Sequence, residues 1–155
     1  MSGGQGAIGA EQDRLLAFEV AGSRYALPIG CVVEVGEVAP LACIPTLPQR
    51  VGGVMNHHGD ALPVLRRGVL LDVDEEGLPE PAHVLAITAR PSGGARLGVP
   101  VDRIVGFVDG APATALGDDP VAERRVVDGR VLFVLDPQRL VARAKDEIEN
   151  SLGKE

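Results

Sequence analysis

The chain has 155 residues, enough for one domain or two small interlocked lobes, and 45% of them are hydrophobic while only 3% are aromatic, so the core must be mainly aliphatic. A formal charge of −7 argues against binding nucleic acid, which rests on neutralising phosphates with Lys and Arg, and against an anionic membrane surface. The balance suits a soluble protein that binds other proteins.

Residues 1–13 are Gly-rich and polar and read as a loose tail ahead of a domain spanning 14–150. This start has neither a positive end nor an apolar run, so it does not read as a signal peptide. No apolar stretch approaches the roughly 20 residues that span a bilayer. "LLAFEV" (15–20) and "RYALPI" (24–29) flank Ala21-Gly22-Ser23 and predict a hairpin. "CVVEVGEV" (31–38) predicts a third strand. Pro40, Pro45 and Pro48 then exclude a regular element and predict a packed loop. "ALPVL" (61–65) reads as a short strand, and "DVDEEGLPEP" (72–81) as a solvated acidic loop.

"HVLAITA" (83–89) and "ARLGVPV" (95–101) surround the turn "RPSGG", and "RIVGFVDG" (103–110) follows at once. Residues 111–125 read as a longer loop, and 126–135 as a hairpin turning at Asp128-Gly129. Only the end predicts a helix. Asp136 can cap it, Pro137 suits its first position, and Leu140, Ala144, Ile148 and Leu152, widened by Val141, form one apolar stripe. No repeat of 20 to 50 residues and no clean linker divide the chain. Short strands between turn signals predict an all-β barrel or sandwich.

The residues that could carry chemistry are few. The serines are Ser2, Ser23, Ser92 and Ser151, all in tails or turns, which opposes a serine nucleophile. Cys31 and Cys43 lie among apolar neighbours with no zinc spacing and read as reduced structural thiols in a cytoplasmic protein. No Gly-rich phosphate loop occurs. Pairs such as Glu75-Glu76 and Asp118-Asp119 read as solvated charge. The segment "VGGVMNHHGDALPVL" (51–65) is the exception, because His57, His58 and Asp60, with His83 elsewhere, are metal ligands and proton carriers. Adjacent histidines on a strand point to opposite faces, so they serve one ion only if they lie on a turn. Two readings stand at this point: a turn between apolar segments, or a small metal-dependent enzyme using His57, His58 and Asp60.

Four segments, in order, resemble the CheW-like domain of chemotaxis coupling proteins. They are "FEVAGSRYALPIGCVVEV", "LPQRVGGVMNHHGDALPVL", "RLGVPVDRIVGFV" and "GRVLFVLDPQRLV", together spanning about 18–141. The resemblance implies an all-β fold of two interlocked five-stranded barrels, SH3-like lobes closed by a C-terminal helix. It implies a non-catalytic adaptor with no cofactor and no metal. Such an adaptor couples the cytoplasmic tips of methyl-accepting chemoreceptors to the regulatory domain of a CheA-type histidine kinase, in membrane-associated receptor clusters and without membrane insertion. It assigns "NHHG" to the family's Asn-Leu-Arg-Gly turn, with His57 for Leu and His58 for Arg. It places Val32, Glu34, Asn56, His58, Gly59, Val101, Asp102 and Ile104 at or near the partner contact. Two departures are clear: His58 stands at the motif's arginine, and Arg66 and Arg67 stand where the family has Asp and Leu. An adaptor that binds a receptor or another regulator without engaging a kinase is the alternative within the family.

Overall fold

The computed structural model describes residues 14–44 and 47–152. The expected 1–13 tail lies outside them. Ten strands form two five-stranded sheets. The first sheet has the order β8-β1-β2-β10-β9, with β1 Arg14–Val20, β2 Ser23–Pro28, β8 Arg103–Asp109, β9 Val121–Val127 and β10 Arg130–Leu135. The second has the order β3-β6-β7-β5-β4, with β3 Val32–Glu37, β4 Gly52–His57, β5 Asp60–Leu65, β6 His83–Ile87 and β7 Leu97–Val101. Helix α1 is Arg67–Leu71 and helix α2 is Pro137–Leu152.

The two sheets are built alike. Each has three antiparallel strands, to which a hairpin attaches through one parallel pair: β10 beside β2, and β5 beside β7. Each hairpin turns on an X-Gly pair and runs straight into a helix. The sequences correspond: Gly59, Leu62, Val64, Leu65 and Leu70 match Gly129, Leu132, Val134, Leu135 and Leu140, each 70 residues apart. The helices differ in their first residue. Before α2, Asp136 accepts the N–H of Gln138 (2.9 Å) with one oxygen and the N–H of Ala115 (2.8 Å) with the other. Before α1 the same position is Arg66, which makes no cap. The Gly68 N–H is instead accepted by Glu75 from beyond the helix (3.0 Å), and α1 lasts only five residues.

One hydrophobic core serves both sheets. Leu16, Phe18, Val20, Tyr25 and Leu27 of the first sheet pack with Leu65, Leu85, Ile87, Leu97, Val99 and Val101 of the second. Leu70 and Leu71 of α1 and Leu140 and Ala144 of α2 join them. The other face of β1 and β2 is buried as well, where Leu15, Ala17 and Ala26 meet Leu132 and Val134. Burial on two faces explains why "LLAFEV" is apolar almost throughout. The expected helix stripe docks as read: Leu140 and Ala144 are buried, and Val141 and Ile148 pack at the margin. The Leu152 side chain lies outside the described residues.

The expected closed barrels are not found. The sheets curl but keep free ends, at β8 and β9 in the first and at β3 and β4 in the second. Between β3 and β4 the chain is rich in proline, which has no N–H to give, and among the described residues its backbone meets β4 through one bridge, Ala42 to Val54, and a long Gly52 N–H contact to the Pro48 carbonyl (3.4 Å). Three elements depart from the sequence reading. Strand β4 carries Gly52 and Gly53, which weaken a strand signal. The backbone needs them, since a Cβ on Gly53 would lie 2.7 Å from the Ala42 carbonyl oxygen. Strand β9 begins at Val121, inside the expected loop. Helix α1 has no capping signal to announce it.

Two outcomes follow from this architecture. Leu140→Ala should destabilise the protein by about 2–5 kcal/mol in a denaturant titration, because a fully buried leucine from α2 leaves a cavity in the shared core. Glu19 on β1 accepts hydrogen bonds from Arg103 (2.8 Å) and Arg24 (3.3 Å), and these cations hold its carboxyl at about 2, against burial that acts the other way. A depressed carboxyl stabilises the fold above its unfolded value, here 4.5, and that contribution is lost as the pH falls toward 2. The stability gap between the wild type and Glu19→Gln should therefore be constant above about pH 5 and close progressively below it.

Candidate functional site

The β4–β5 hairpin turns at His58 and Gly59, whose φ angles are 52° and 91°. These left-handed residues match the twist of the flanking strands. Asn56 stays in β4, and its Oδ1 accepts the N–H of Gly59 at 2.8 Å. The left-handed geometry thus falls on His58 and Gly59, and Asn56 supports the turn through its side chain. Because His58 leaves the strand conformation, the alternation rule for neighbouring side chains no longer applies. The two imidazoles lie together, with ring centroids 4.4 Å apart.

Both rings reach one carboxylate. His57 Nε2 is 3.1 Å and His58 Nε2 is 2.6 Å from Glu34 Oε1. Glu34 lies on β3, at the opposite edge of the same sheet, so the curl of the sheet creates this contact. The His58 hydrogen bond, followed by that of His57, holds the Glu34 carboxyl below its ordinary range. Asp60, grouped with the histidines on sequence grounds, is exposed and lies outside this cluster; Glu34 takes its place. Cys43 is exposed rather than buried, and its side-chain partner is Gln49 rather than a histidine.

The remaining expected contact residues divide by position. The register pairs Val64 with Gly98, so the hairpin tip and the end of β7 lie at opposite ends of the second sheet. Val32 shares the tip's end, since it and Leu97 both pair with Ile87, and it packs partly against the core. At the other end Val101 is fully buried and Ile104 is half-buried against the same core.

Asp102 links β7 to β8 and so joins the two sheets. Its own N–H donates to the Glu19 carbonyl (2.9 Å), and its Oδ2 accepts the N–H of Ala21 (2.8 Å) in the β1–β2 turn. Its Oδ1 accepts from Arg67 Nη1. The Arg67 side chain is only 5% exposed. Its Nε donates to Glu75 (3.3 Å) and its Nη2 to the Pro79 carbonyl (3.1 Å). Sequence reading missed this joint. In the sequence Glu75 reads as solvated charge, and Arg67 only as standing where the family has Leu, a position that points toward burial.

Beside the tip, the edge strand β3 exposes apolar side chains. Val33 and Val35 are 46% and 44% exposed, and Val38 and Leu41 continue the strip at 43% and 44%. An edge strand with exposed valines offers both unpaired backbone groups and apolar surface.

The CheW-like domain model matches residues 14–145. The chain belongs to the CheW-like domain family. Among solved structures it is similar to the scaffolding protein TtCheW from Thermoanaerobacter tengcongensis, with a TM-score of 0.67 and 19% identity over 83% of this chain and 87% of that one. That likeness concerns the fold. No curated protein matches the chain significantly. Among the described residues no helix is long and apolar enough to cross a membrane. Within this fold, Asp102 differs from the other expected contact residues because most of its hydrogen-bonding capacity is already used inside the protein.

Arg67→Ala should destabilise the protein by about 3 kcal/mol, since it leaves Asp102 and Glu75 without their cation in a largely buried joint. Arg67→Met combined with Asp102→Asn should recover part of that loss, because Glu75 alone is then left without its cation and it still accepts the Gly68 N–H. Urea titrations of the single and double variants measure both effects; an Arg67→Ala variant as stable as the wild type contradicts the clamp.

Proposed function

We propose that this chain is a non-catalytic adaptor in chemosensory signalling, coupling methyl-accepting chemoreceptor tips to the regulatory domain of a CheA-type histidine kinase on the cytoplasmic side of the membrane. Membership of the CheW-like family supports the reading. The observation that carries it on this chain is the exposed apolar strip on β3, next to the Glu34–His57–His58 tip. A partner strand or helix laid on that strip covers the valines, and the tip's polar groups set its register. Val32, Glu34, Asn56, His58 and Gly59 form the proposed contact. Val101, Asp102 and Ile104 support it through the core and the joint between sheets.

A second reading keeps the receptor and loses the kinase. One observation favours it. His58 stands at the motif's arginine, and an imidazole offers neither the permanent charge nor the planar five-donor fork of a guanidinium. A partner that reads that fork binds this chain less well.

Pull-downs with a receptor cytoplasmic fragment and a kinase regulatory domain, each used alone, test both readings. The adaptor reading expects both to bind, and the second reading expects only the receptor fragment. Val35→Lys places a charge in the strip and should weaken binding about tenfold or more, while stability changes by no more than about 0.5 kcal/mol. Absence of binding to either fragment, or a Val35→Lys variant that binds like the wild type, contradicts the proposed surface.

A further inference from the structure

The Glu34, His57 and His58 side chains bring two imidazole nitrogens and one carboxylate oxygen within 4.8 Å of one another. We propose that these three residues form a divalent transition-metal site that ties the two edges of the second sheet together. The proposal does not rest on the partner-binding reading, although Glu34 and His58 also belong to the proposed contact. It also differs from the metal-dependent enzyme weighed on sequence grounds, because Asp60 takes no part and no reaction is assigned.

The donor set defines the class of ion. Two imidazoles with one carboxylate suit Zn2+, Ni2+ or Cu2+, whereas Mg2+ and Ca2+ prefer oxygen donors throughout. Zn2+ holds nitrogen and oxygen at about 2.0–2.2 Å, so tetrahedral donors stand about 3.4 Å apart. The His57 and His58 nitrogens already stand 3.1 and 2.6 Å from Glu34 Oε1. An ion replaces these two hydrogen bonds after small outward turns of the side chains.

The backbone orients the donors. His58 has φ 52°, and this left-handed step puts two successive rings on one side of the hairpin. The His57 side chain is only 16% exposed and is held in place, while those of Glu34 and His58 are 42% and 72% exposed and free to adjust. Three protein ligands leave a tetrahedral ion one position for water, which this exposure supplies.

The consequence is mechanical. β3 and β4 are the free edges of the sheet, and Glu34 and the histidines are separated by 23 and 24 residues in sequence. A metal bond across that gap acts on folding as a loop-closing link, and an ion that binds only the folded chain raises its stability.

The test uses the full chain, stripped with a chelator and titrated at about pH 7.5 with Zn2+ by calorimetry and with Co2+ by visible absorption. One ion per chain is expected, bound with a dissociation constant on the order of 10 µM, and saturating Zn2+ should raise Tm by several degrees. His58→Gly keeps the left-handed turn and Glu34→Gln keeps the shape of the side chain. Each should lower affinity about tenfold or more. Cys43→Ser and His83→Gln should bind like the wild type, and the Co2+ spectrum should lack thiolate charge transfer. NMR of the wild type needs no variant: the ring signals of His57 and His58 should move with Zn2+ while those of His83 stay. Binding weaker than about 1 mM, affinity kept in both His58→Gly and Glu34→Gln, affinity lost in Cys43→Ser or His83→Gln, or ring signals that all move or all stay overturns the site.

Discussion

A buried cation sets the relation between the two sheets. Arg67 lies under the joint where β7 passes into β8, and its guanidinium meets Asp102, Glu75 and the Pro79 carbonyl. A guanidinium left unpaired in such a place is strongly destabilising. Every one of its nitrogens therefore has a partner, and those partners come from different parts of the chain. Asp102 carries the constraint on to Ala21 in the first sheet, and Glu75 carries it back to the start of α1 through the Gly68 N–H. Apolar packing alone fills the shared core, but it is not directional. The ion pair adds direction and specifies how the sheets meet.

The likeness of the two halves gives this clamp its meaning. Each half is a set of three antiparallel strands joined by a hairpin and a helix, with leucines and valines at matching places. Where the second hairpin ends in Asp136, an acid that caps a long helix, the first ends in Arg66 and Arg67. The first half thereby gives up helix length and gains a cation pointing into the joint. Its short α1 covers the core through Leu70 and Leu71 with Val69 at the margin, and the long α2 adds Leu140 and Ala144. Arg143 of α2 meets Asp72 just after α1 (2.7 Å), so the two helices also touch through charge.

Far from the joint, at the opposite end of the same sheet, the hairpin tip is free to vary. Nothing in the core depends on His58, which is 72% exposed in its side chain. The neighbouring edge strand is exposed and apolar, which proteins ordinarily avoid unless another chain covers it. Glu34 moderates that edge with a charge, and its contact with the two histidines holds β3 near the hairpin without a backbone ladder. A rigid joint at one end and an adaptable tip at the other suit a module that must fold reliably while its contact surface diverges.

Much of this was legible in the amino-acid sequence, because it is written locally. Ala21-Gly22 and Asp128-Gly129 mark hairpins, since those turns demand positive φ. Asp136-Pro137 and the spacing of Leu140, Ala144 and Ile148 mark the docked helix, since caps and apolar stripes act within a few residues. The order of motifs along 18–141 carried the family, and with it the β architecture. Other features were decided only by the tertiary structure. Gly52 and Gly53 hid β4, because they allow close backbone approaches that local pattern does not show, Gly52 to Val64 and Leu65 of β5 and Gly53 to Ala42. Glu75 reads as a solvated charge and Arg67 only as a departure from the family's Leu, because each is satisfied only by a partner that the fold delivers. Resemblance places Glu34 and His58 at one contact surface, but their direct meeting with His57 was not legible, because it depends on the curl of a sheet and on a left-handed step at His58. Short-range geometry and hydrophobic period are properties of the chain itself; the pairing of charges across a joint or a sheet edge exists only once the core has brought them together.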